Sequence, residues 1–216
     1  MIHARLASLP EREKSLERTI ASLRPQVDSI FVVLNNYTSP PSFLKNGEWV
    51  IRQNENGAAS KFMNAEHLNG YIFICDDDLQ YPPGYVRYMI RGIEEYKAVV
   101  TLHGKSYKPG FKDFRDWDEV YRCLGNVDRD VRVQIPGTGV MAYHSSLITI
   151  SEQDIALPFG VDVSVGKICH ERNVPVYCLM HTSSYLSHTI RSHTLFKSEG
   201  KKGFKDRNEL LKTFIK

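Results

Sequence analysis

Residues 76–78 read Asp-Asp-Asp, three successive carboxylates placed directly after the apolar run Tyr71-Ile72-Phe73-Ile74-Cys75. Adjacent carboxylates repel one another, so the run costs free energy unless a cation, hydrogen bonds or water compensate. A divalent ion is the simplest compensation. Mg²⁺ and Mn²⁺ prefer oxygen ligands, take one or two carboxylates, and complete their shells with water and phosphate oxygens. A diphosphate leaving group held there is neutralised as it departs, which is Lewis-acid catalysis. The plain alternatives are a solvated acidic loop, or aspartates that cap the following helix. The burial expected of the preceding strand favours the metal site.

The elements that must position these carboxylates follow from pattern. Ile2 to Leu6 is a short strand candidate, and Ser8-Leu9-Pro10-Glu11 has the spacing of a capping box at a helix start. Leu16, Ile20 and Leu23 then fall on one helical face, and Pro25 closes the segment. Ser29 to Leu34 is an apolar, β-branched run suited to a strand covered on both faces, so the chain opens as βαβ. A strand over Glu48 to Arg52 and a helix with Ala58, Phe62 and Ala65 on its apolar face lead to the strand Tyr71 to Cys75. Pro82, Pro83 and Gly84 introduce a helix carrying Tyr85, Met89, Ile93 and Tyr96, and Ala98 to Leu102 returns as a strand. From His103 to Arg132 the periodicity fails, which predicts a long loop or insertion. Val140 to Tyr143 reads as a strand, the stretch from Asp162 to Arg172 as a helix, and Val176 to Leu179 as a strand. This alternation predicts a single-domain α/β fold, a three-layer α/β/α sandwich on a mainly parallel sheet. In such sheets ligands bind outside the carboxyl ends of the strands, which is where Asp76, Asp77 and Asp78 fall.

The strand, the Asp-Asp-Asp run and the following Leu79-Gln80-Tyr81-Pro82-Pro83 resemble the D-x-D region of the family 2 type glycosyltransferases of the GT-A fold. The likeness extends over the first half of the chain, through the segment from Ser8 to Leu23 and the N-G-x-x-x-K stretch of Asn56, Gly57 and Lys61. The second half matches in outline. The resemblance implies that Asp76 approaches the ribose of a nucleotide diphosphate sugar, a UDP-sugar first among them, and that Asp78 coordinates Mn²⁺ or Mg²⁺, with Asp76 beside it. Ser8, Leu9, Arg12, Asn35, Asn56, Gly57, Lys61 and Asp77 become donor-binding candidates. The family often places an acidic residue after the second strand to bind uracil, whereas Asn35 and Asn36 stand here, and amides both donate and accept hydrogen bonds.

Inverting transfer needs a base on the sugar face opposite the leaving diphosphate. Asp162, after Leu157-Pro158-Phe159-Gly160, resembles the acidic residue that the family sets at the start of a late helix; an ordinary N-cap aspartate is the alternative, and Asp154 the substitute. Gly137, Thr138 and Gly139 are acceptor-binding candidates, since glycine lets a sugar approach the backbone closely, or they form a turn before a strand. Related folds complete the metal shell with a late histidine, for which His181 at a strand end is favoured over His188 and His193. The resemblance also implies a hexosyltransferase in polysaccharide or glycolipid assembly, acting on a saccharide or lipid-linked acceptor.

Composition sets outer bounds. With 42% hydrophobic and 25% charged residues in 216, the chain has an ordinary packed core, and a net charge of +3 does not call for a nucleic-acid partner. Cys75, Cys123, Cys169 and Cys178 form no C-x-x-C pair and read as reduced thiols. No run approaches the ~18–20 apolar residues of a membrane span, so a cytoplasmic protein is expected. The chain divides into a nucleotide-sugar half (1–102), an acceptor half (103–190) and a tail (191–216). That tail holds eight basic against three acidic residues, a net +5 that exceeds the charge of the whole chain. It suits either closure over the donor diphosphate, with residues 192–202 mobile in its absence, or contact with anionic lipid at the inner membrane face. The simpler expectation is a solvated helix docked by Leu210, Leu211 and Phe214. Two rivals stand beside the transferase: a sugar nucleotidyltransferase, disfavoured because Ser8-Leu9-Pro10-Glu11 is no glycine-rich phosphate loop, and a catalytically inactive carbohydrate-binding module.

Overall fold

The computed structural model describes residues 1–53, 55–158, 160–189 and 200–215. Its main sheet has eight strands in the order β3 (Trp49–Arg52), β2 (Ser29–Asn35), β1 (Ile2–Ser8), β4 (Tyr71–Cys75), β11 (Val140–His144), β6 (Val99–Thr101), β12 (Val176–Cys178) and β9 (Val131–Val133). The β3-β2-β1-β4 half is parallel throughout. The β6-β12 pair is also parallel, while β11 runs antiparallel to both its neighbours and β9 antiparallel to β12. Parallel pairing therefore prevails without being uniform. A three-stranded sheet joins β7 (Gly104–Ser106), β8 (Glu119–Tyr121) and β10 (Ile135–Pro136), and a two-stranded ribbon joins β5 (Leu79–Gln80) to β13 (Ser187–His188).

Alternation along the central strands explains how both faces are covered. Phe73 and Cys75 of β4 and Ala142 of β11 point into one core with Leu16, Ile20 and Leu23 of α1 (Glu13–Leu23) and Met89 and Ile93 of α2 (Tyr85–Tyr96). Ile72, Ile74, Met141 and Tyr143 point to the other face, where they meet Val161, Val165 and Ile168 of α3 (Val161–Glu171). The period of two in the strands and of about 3.6 in the helices is what makes the three layers. A third apolar cluster docks Leu211, Phe214 and Ile215, at and beyond the end of α4 (Gly200–Lys212), onto Tyr107, Phe114, Ile135 and Val163. Leu210 packs against that cluster only partly buried.

The βαβ opening, the strand before the aspartates and the two helices after Gly84 and Gly160 fall where the pattern sets them. Four expectations need correction. Residues 57–67 form two 3₁₀ turns rather than a helix, because Asn64 between them takes a left-handed backbone conformation, φ 56°. The stretch 103–132 is not a bare loop: it supplies β7, β8 and β9. Ser8 and Glu11 form no capping box, since Leu9 is the residue flanking the short 3₁₀ turn Pro10–Arg12 and no side chain caps it. The division at residue 102 is not a division of the sheet, because β11 lies between β4 and β6. Among the described residues no helix is long and apolar enough to cross a membrane.

Leu16 is fully buried between α1 and the sheet. We expect Leu16→Ala to lower unfolding free energy by about 2–5 kcal/mol, read from urea melts, because it leaves a cavity under the β1-α1 junction. A loss below about 1 kcal/mol would contradict that packing.

Candidate active site

The aspartates stand where β4 leaves the sheet, beside the start of antiparallel β11. The Asp76 amide divides between the Gly139 carbonyl at 3.0 Å and the Tyr81 hydroxyl at 2.9 Å. Tyr81 in turn donates to the Gly139 carbonyl at 2.6 Å. The tyrosine thus ties the two strand ends together, and its ring is fully buried. Gly139 is needed for a reason the sequence does not announce: a Cβ there would lie 1.8 Å from Asp76 Oδ2. A Cβ on Gly137 would lie 2.5 Å from the His103 Cβ. Both glycines make room for protein side chains, and both also line the cleft described below.

The three carboxylates are held in three different ways. Asp77 is buried, and both of its oxygens are engaged, Oδ2 by the Ser8 hydroxyl at 2.6 Å and Oδ1 by Arg12 Nη1 at 2.7 Å. Burial pushes the Asp77 carboxyl up, against the pull of Arg12 and Ser8. Asp77 therefore orients Arg12 and Ser8, with both of its oxygens engaged by protein groups. Asp76 is more exposed and pairs through Oδ1 with the buried Lys61 ammonium. Burial alone would lower the Lys61 pKa, but the charge and hydrogen bond of Asp76, with the charge of Asp77, raise it above its ordinary value. Asp78 meets Arg12 at a long 3.4 Å. Its pKa is raised, by burial first and by the Asp76 charge second, with Arg12, His188 and Lys61 opposing. Two protein cations thus share in the compensation that the sequence suggested a metal would provide.

Open ligand positions remain. Asp76 Oδ2 is not the atom bonded to Lys61, and the long Arg12 contact leaves the Asp78 carboxylate available to a stronger partner. One or two carboxylates suffice for Mg²⁺ or Mn²⁺ when water and phosphate fill the other positions, so Asp76 and Asp78 fit such an ion. His181 does not: its Nδ1 faces the Leu179 carbonyl at 2.7 Å and its Nε2 the Arg122 carbonyl at 3.2 Å, so both ring nitrogens are turned to protein carbonyls. His188 is the histidine brought near, exposed in β13 beside β5, with the next amide, that of Thr189, donating to the Asp78 carbonyl at 2.9 Å. His193 lies outside the described residues. Among the described residues no three His, Cys, Asp or Glu side chains gather around a common ion position.

A cleft of about 370 Å³ opens over this cluster. Ser8, Leu9, Arg12, Asn35, Gly57, Lys61, Asp76 and Asp77 from the first part of the chain line it together with His103, Lys105, Thr138, Asp162 and Arg207 from the later part. Asp162 is the second residue of α3 and does not cap it; Gly160 precedes the helix. Its Oδ1 instead accepts from the Thr138 amide at 2.9 Å and the Thr138 hydroxyl at 2.7 Å. Burial would raise its pKa, yet Lys105, the Thr138 amide, His103 and the Thr138 hydroxyl together bring it below the ordinary carboxylate value. His103 is held low by burial and by Lys105. Asn35 stays at the cleft with its amide 3.3 Å from Ser60 Oγ. Asn56 is not a lining residue: its amide donates to Glu152 Oε1 at 2.8 Å, next to Arg52. Asp154 is not a lining residue either; it closes a capping box with Ser151.

Tyr81, His103, Lys105 and Arg207 escaped the sequence reading as site residues. Tyr81 stood in the quoted motif without a role, His103 and Lys105 fell in the stretch without periodicity, and Arg207 was one of many tail cations. Residues 192–199 lie outside the described residues, while 200–202 begin α4.

No protein-family model and no curated protein matches the chain. Among solved structures it is similar to one described as "Crystal Structure of A197 from STIV", with 15% identity and a TM-score of 0.49 over 87% of this chain and 84% of that one. That degree of likeness carries no function to this chain.

Gly139→Ala should displace the Asp76 side chain and break its pair with Lys61 while the sheet persists. The expected readout is a lower melting temperature with unchanged far-ultraviolet circular dichroism, and an unchanged melting temperature would contradict the contact. Because the folded pKa of Asp162 is depressed, its stabilising contribution is present above the ordinary carboxylate value near 3.9 and is lost as pH falls through the folded value. The stability gap between wild type and Asp162→Asn should therefore be larger at pH 7 than at pH 3; a gap that widens on acidification would reverse the sign.

Proposed function

We propose that this chain is a metal-dependent glycosyltransferase of the GT-A type, moving a hexose from a nucleotide diphosphate sugar, a UDP-sugar first, to a saccharide or lipid-linked saccharide. The observation that carries the reading is that Asp76, at the end of a buried strand, and Asp162, at the start of a helix far along the chain, line one cleft. The first half of the chain contributes acidic groups already oriented by cations, and the second half contributes an ionised carboxylate with a fixed geometry.

The roles follow from what each group has left to offer. Arg12 and Lys61 offset part of the acidic cluster, so a diphosphate approaching it meets less repulsion than three bare carboxylates would impose. A bound Mn²⁺ or Mg²⁺, held by Asp78 and Asp76, would supply Lewis-acid neutralisation of the leaving diphosphate. Thr138 fixes Asp162 through Oδ1, which leaves Oδ2 to accept the proton of an acceptor hydroxyl during inverting displacement. The depressed pKa keeps Asp162 ionised across the neutral range. Leu9, Asn35 and Gly57 line the donor side and supply backbone and amide groups suited to a nucleotide.

Two variants test this. Asp78→Ala should abolish the Mn²⁺-dependent rise in melting temperature with UDP while the unliganded protein stays folded. Asp162→Asn should keep that rise and lower sugar transfer by about 10²–10⁴-fold, the usual worth of a positioned base. Turnover equal to wild type in either variant would remove the corresponding role.

A further inference from the structure

Directly after the aspartates the chain forms β5, and its partner strand β13 returns from late in the sequence. A two-stranded ribbon this short has little stability of its own, and α1 holds both of its strands. Thr19 donates its hydroxyl to the Leu79 carbonyl at 2.8 Å, and Arg18 donates through Nη1 to the Thr189 carbonyl at 2.9 Å. The ribbon pairs Gln80 with Ser187 and Leu79 with His188. One step further along that register Asp78 meets Thr189, whose amide donates to the Asp78 carbonyl at 2.9 Å. Residues directly opposite in an antiparallel pair project to the same face, with Cβ atoms about 4.5–5.5 Å apart. The register therefore sets the Thr189 side chain beside that of Asp78. Its hydroxyl is buried and, among the described residues, has no hydrogen-bond partner.

Leaving a buried hydroxyl unpaired costs its full desolvation, and here the backbone on both sides of that hydroxyl is tied in place, the amide to Asp78 and the carbonyl to Arg18. A threonine hydroxyl has one proton to donate, and even the neighbouring carboxylate does not take it. We infer that Thr189 is a ligand-binding residue of the acidic cluster, its hydroxyl donating to an oxygen of the diphosphate that a divalent ion at Asp78 and Asp76 would hold. The inference deepens the transferase reading and rests on it for the diphosphate. The Asp78 side chain keeps 15% of its surface exposed, so an oxyanion drawn to a cation there arrives next to the hydroxyl. A hydrogen bond from a neutral hydroxyl to a charged oxygen is shorter and stronger than one between neutral groups, which offsets the cost carried by the empty site. Arg18 is then a positioning residue, since it holds the strand that carries Thr189 against the aspartates.

Thr189→Val replaces the hydroxyl by a methyl group, Thr189→Ala removes it outright, and Thr189→Ser keeps it. Each is compared with wild type by its melting temperature without ligand, by calorimetric titration with UDP and with pyrophosphate in the presence of Mn²⁺, and by electron paramagnetic resonance of Mn²⁺ alone. Thr189→Val should melt no lower than wild type, because no hydrogen bond of the empty protein is lost. It should nevertheless bind both diphosphates about tenfold more weakly, the worth of one hydrogen bond to a charged group. Thr189→Ala should show the same loss of affinity, Thr189→Ser should bind as wild type does, and Mn²⁺ alone should bind wild type and variants alike. A threonine that serves the fold alone gives the reverse pattern, a lower melting temperature with affinity intact, and that result would overturn the assignment. Diphosphate affinity untouched in Thr189→Val and Thr189→Ala would overturn it as well, and so would a loss of affinity for Mn²⁺ alone, which places the hydroxyl on the ion. If pyrophosphate binds in the expected Thr189-dependent way while UDP does not bind wild type, the transferase reading falls and the assignment stands. Binding of neither diphosphate to wild type overturns both.

Discussion

Three carboxylates in successive positions at the end of a buried strand repel one another at short range. Like charges about 4 Å apart cost about 4 kcal/mol each pair at an effective dielectric of about 20. This chain meets that cost with Arg12, from the turn before α1, and Lys61, from the 3₁₀ segment ahead of β4. The Ser8 hydroxyl completes the Asp77 environment. Those partners sort the aspartates: Asp77 has both oxygens engaged by Arg12 and Ser8, Asp76 pairs with Lys61 through one oxygen, and Asp78 has only a long contact to Arg12. Two cations against three carboxylates leave a residual negative charge, which is the electrostatic condition for attracting a divalent ion.

Much else in the architecture follows from holding that cluster still. Tyr81 ties the end of β4 to the start of β11, and Gly139 gives way to the Asp76 carboxylate. The same turn continues into Thr138, whose amide and hydroxyl fix Asp162. One antiparallel strand, β11, inserted between β4 and β6, therefore connects the acidic cluster to the opposite wall of the cleft. A purely parallel sheet would place a strand's carboxyl end, rather than the start of an antiparallel strand, beside Asp76.

The sequence carried the parts of this that depend on short-range pattern. The buried run from Tyr71 to Cys75 followed by aspartates marked the site, and the Leu16, Ile20 and Leu23 face marked the helix that packs beneath it. Where it misled, a long-range partner decided the outcome. Ser8 has the spacing to cap a helix, but Asp77 lies 2.6 Å from its hydroxyl and claims it. Asp162 reads from the sequence as a helix-capping residue, but it is the second residue of α3 and binds Thr138. Asn56 sits in a motif that points to the donor, yet Glu152 draws its amide away. His181 ends a strand as a ligand would, but two carbonyls take its nitrogens. Apart from Leu179, two residues before His181, these partners are distant in sequence, so a local reading does not expose them. Arg207 was hidden for a different reason: its charge was one of eight basic residues, and only the docking of α4 distinguishes it.

The account turns on Asp76 and Asp78 binding a divalent ion while Asp77 stays with Arg12. A crystal of the protein soaked with UDP and Mn²⁺, measured at the manganese absorption edge, tests that arrangement directly. The expected map has an anomalous peak about 2.1 Å from an Asp78 oxygen, reached also by Asp76 and the diphosphate, with the Arg12 to Asp77 pair intact. A map with nucleotide and manganese elsewhere, or with Arg12 and Lys61 gripping the diphosphate and no metal between the aspartates, would contradict it.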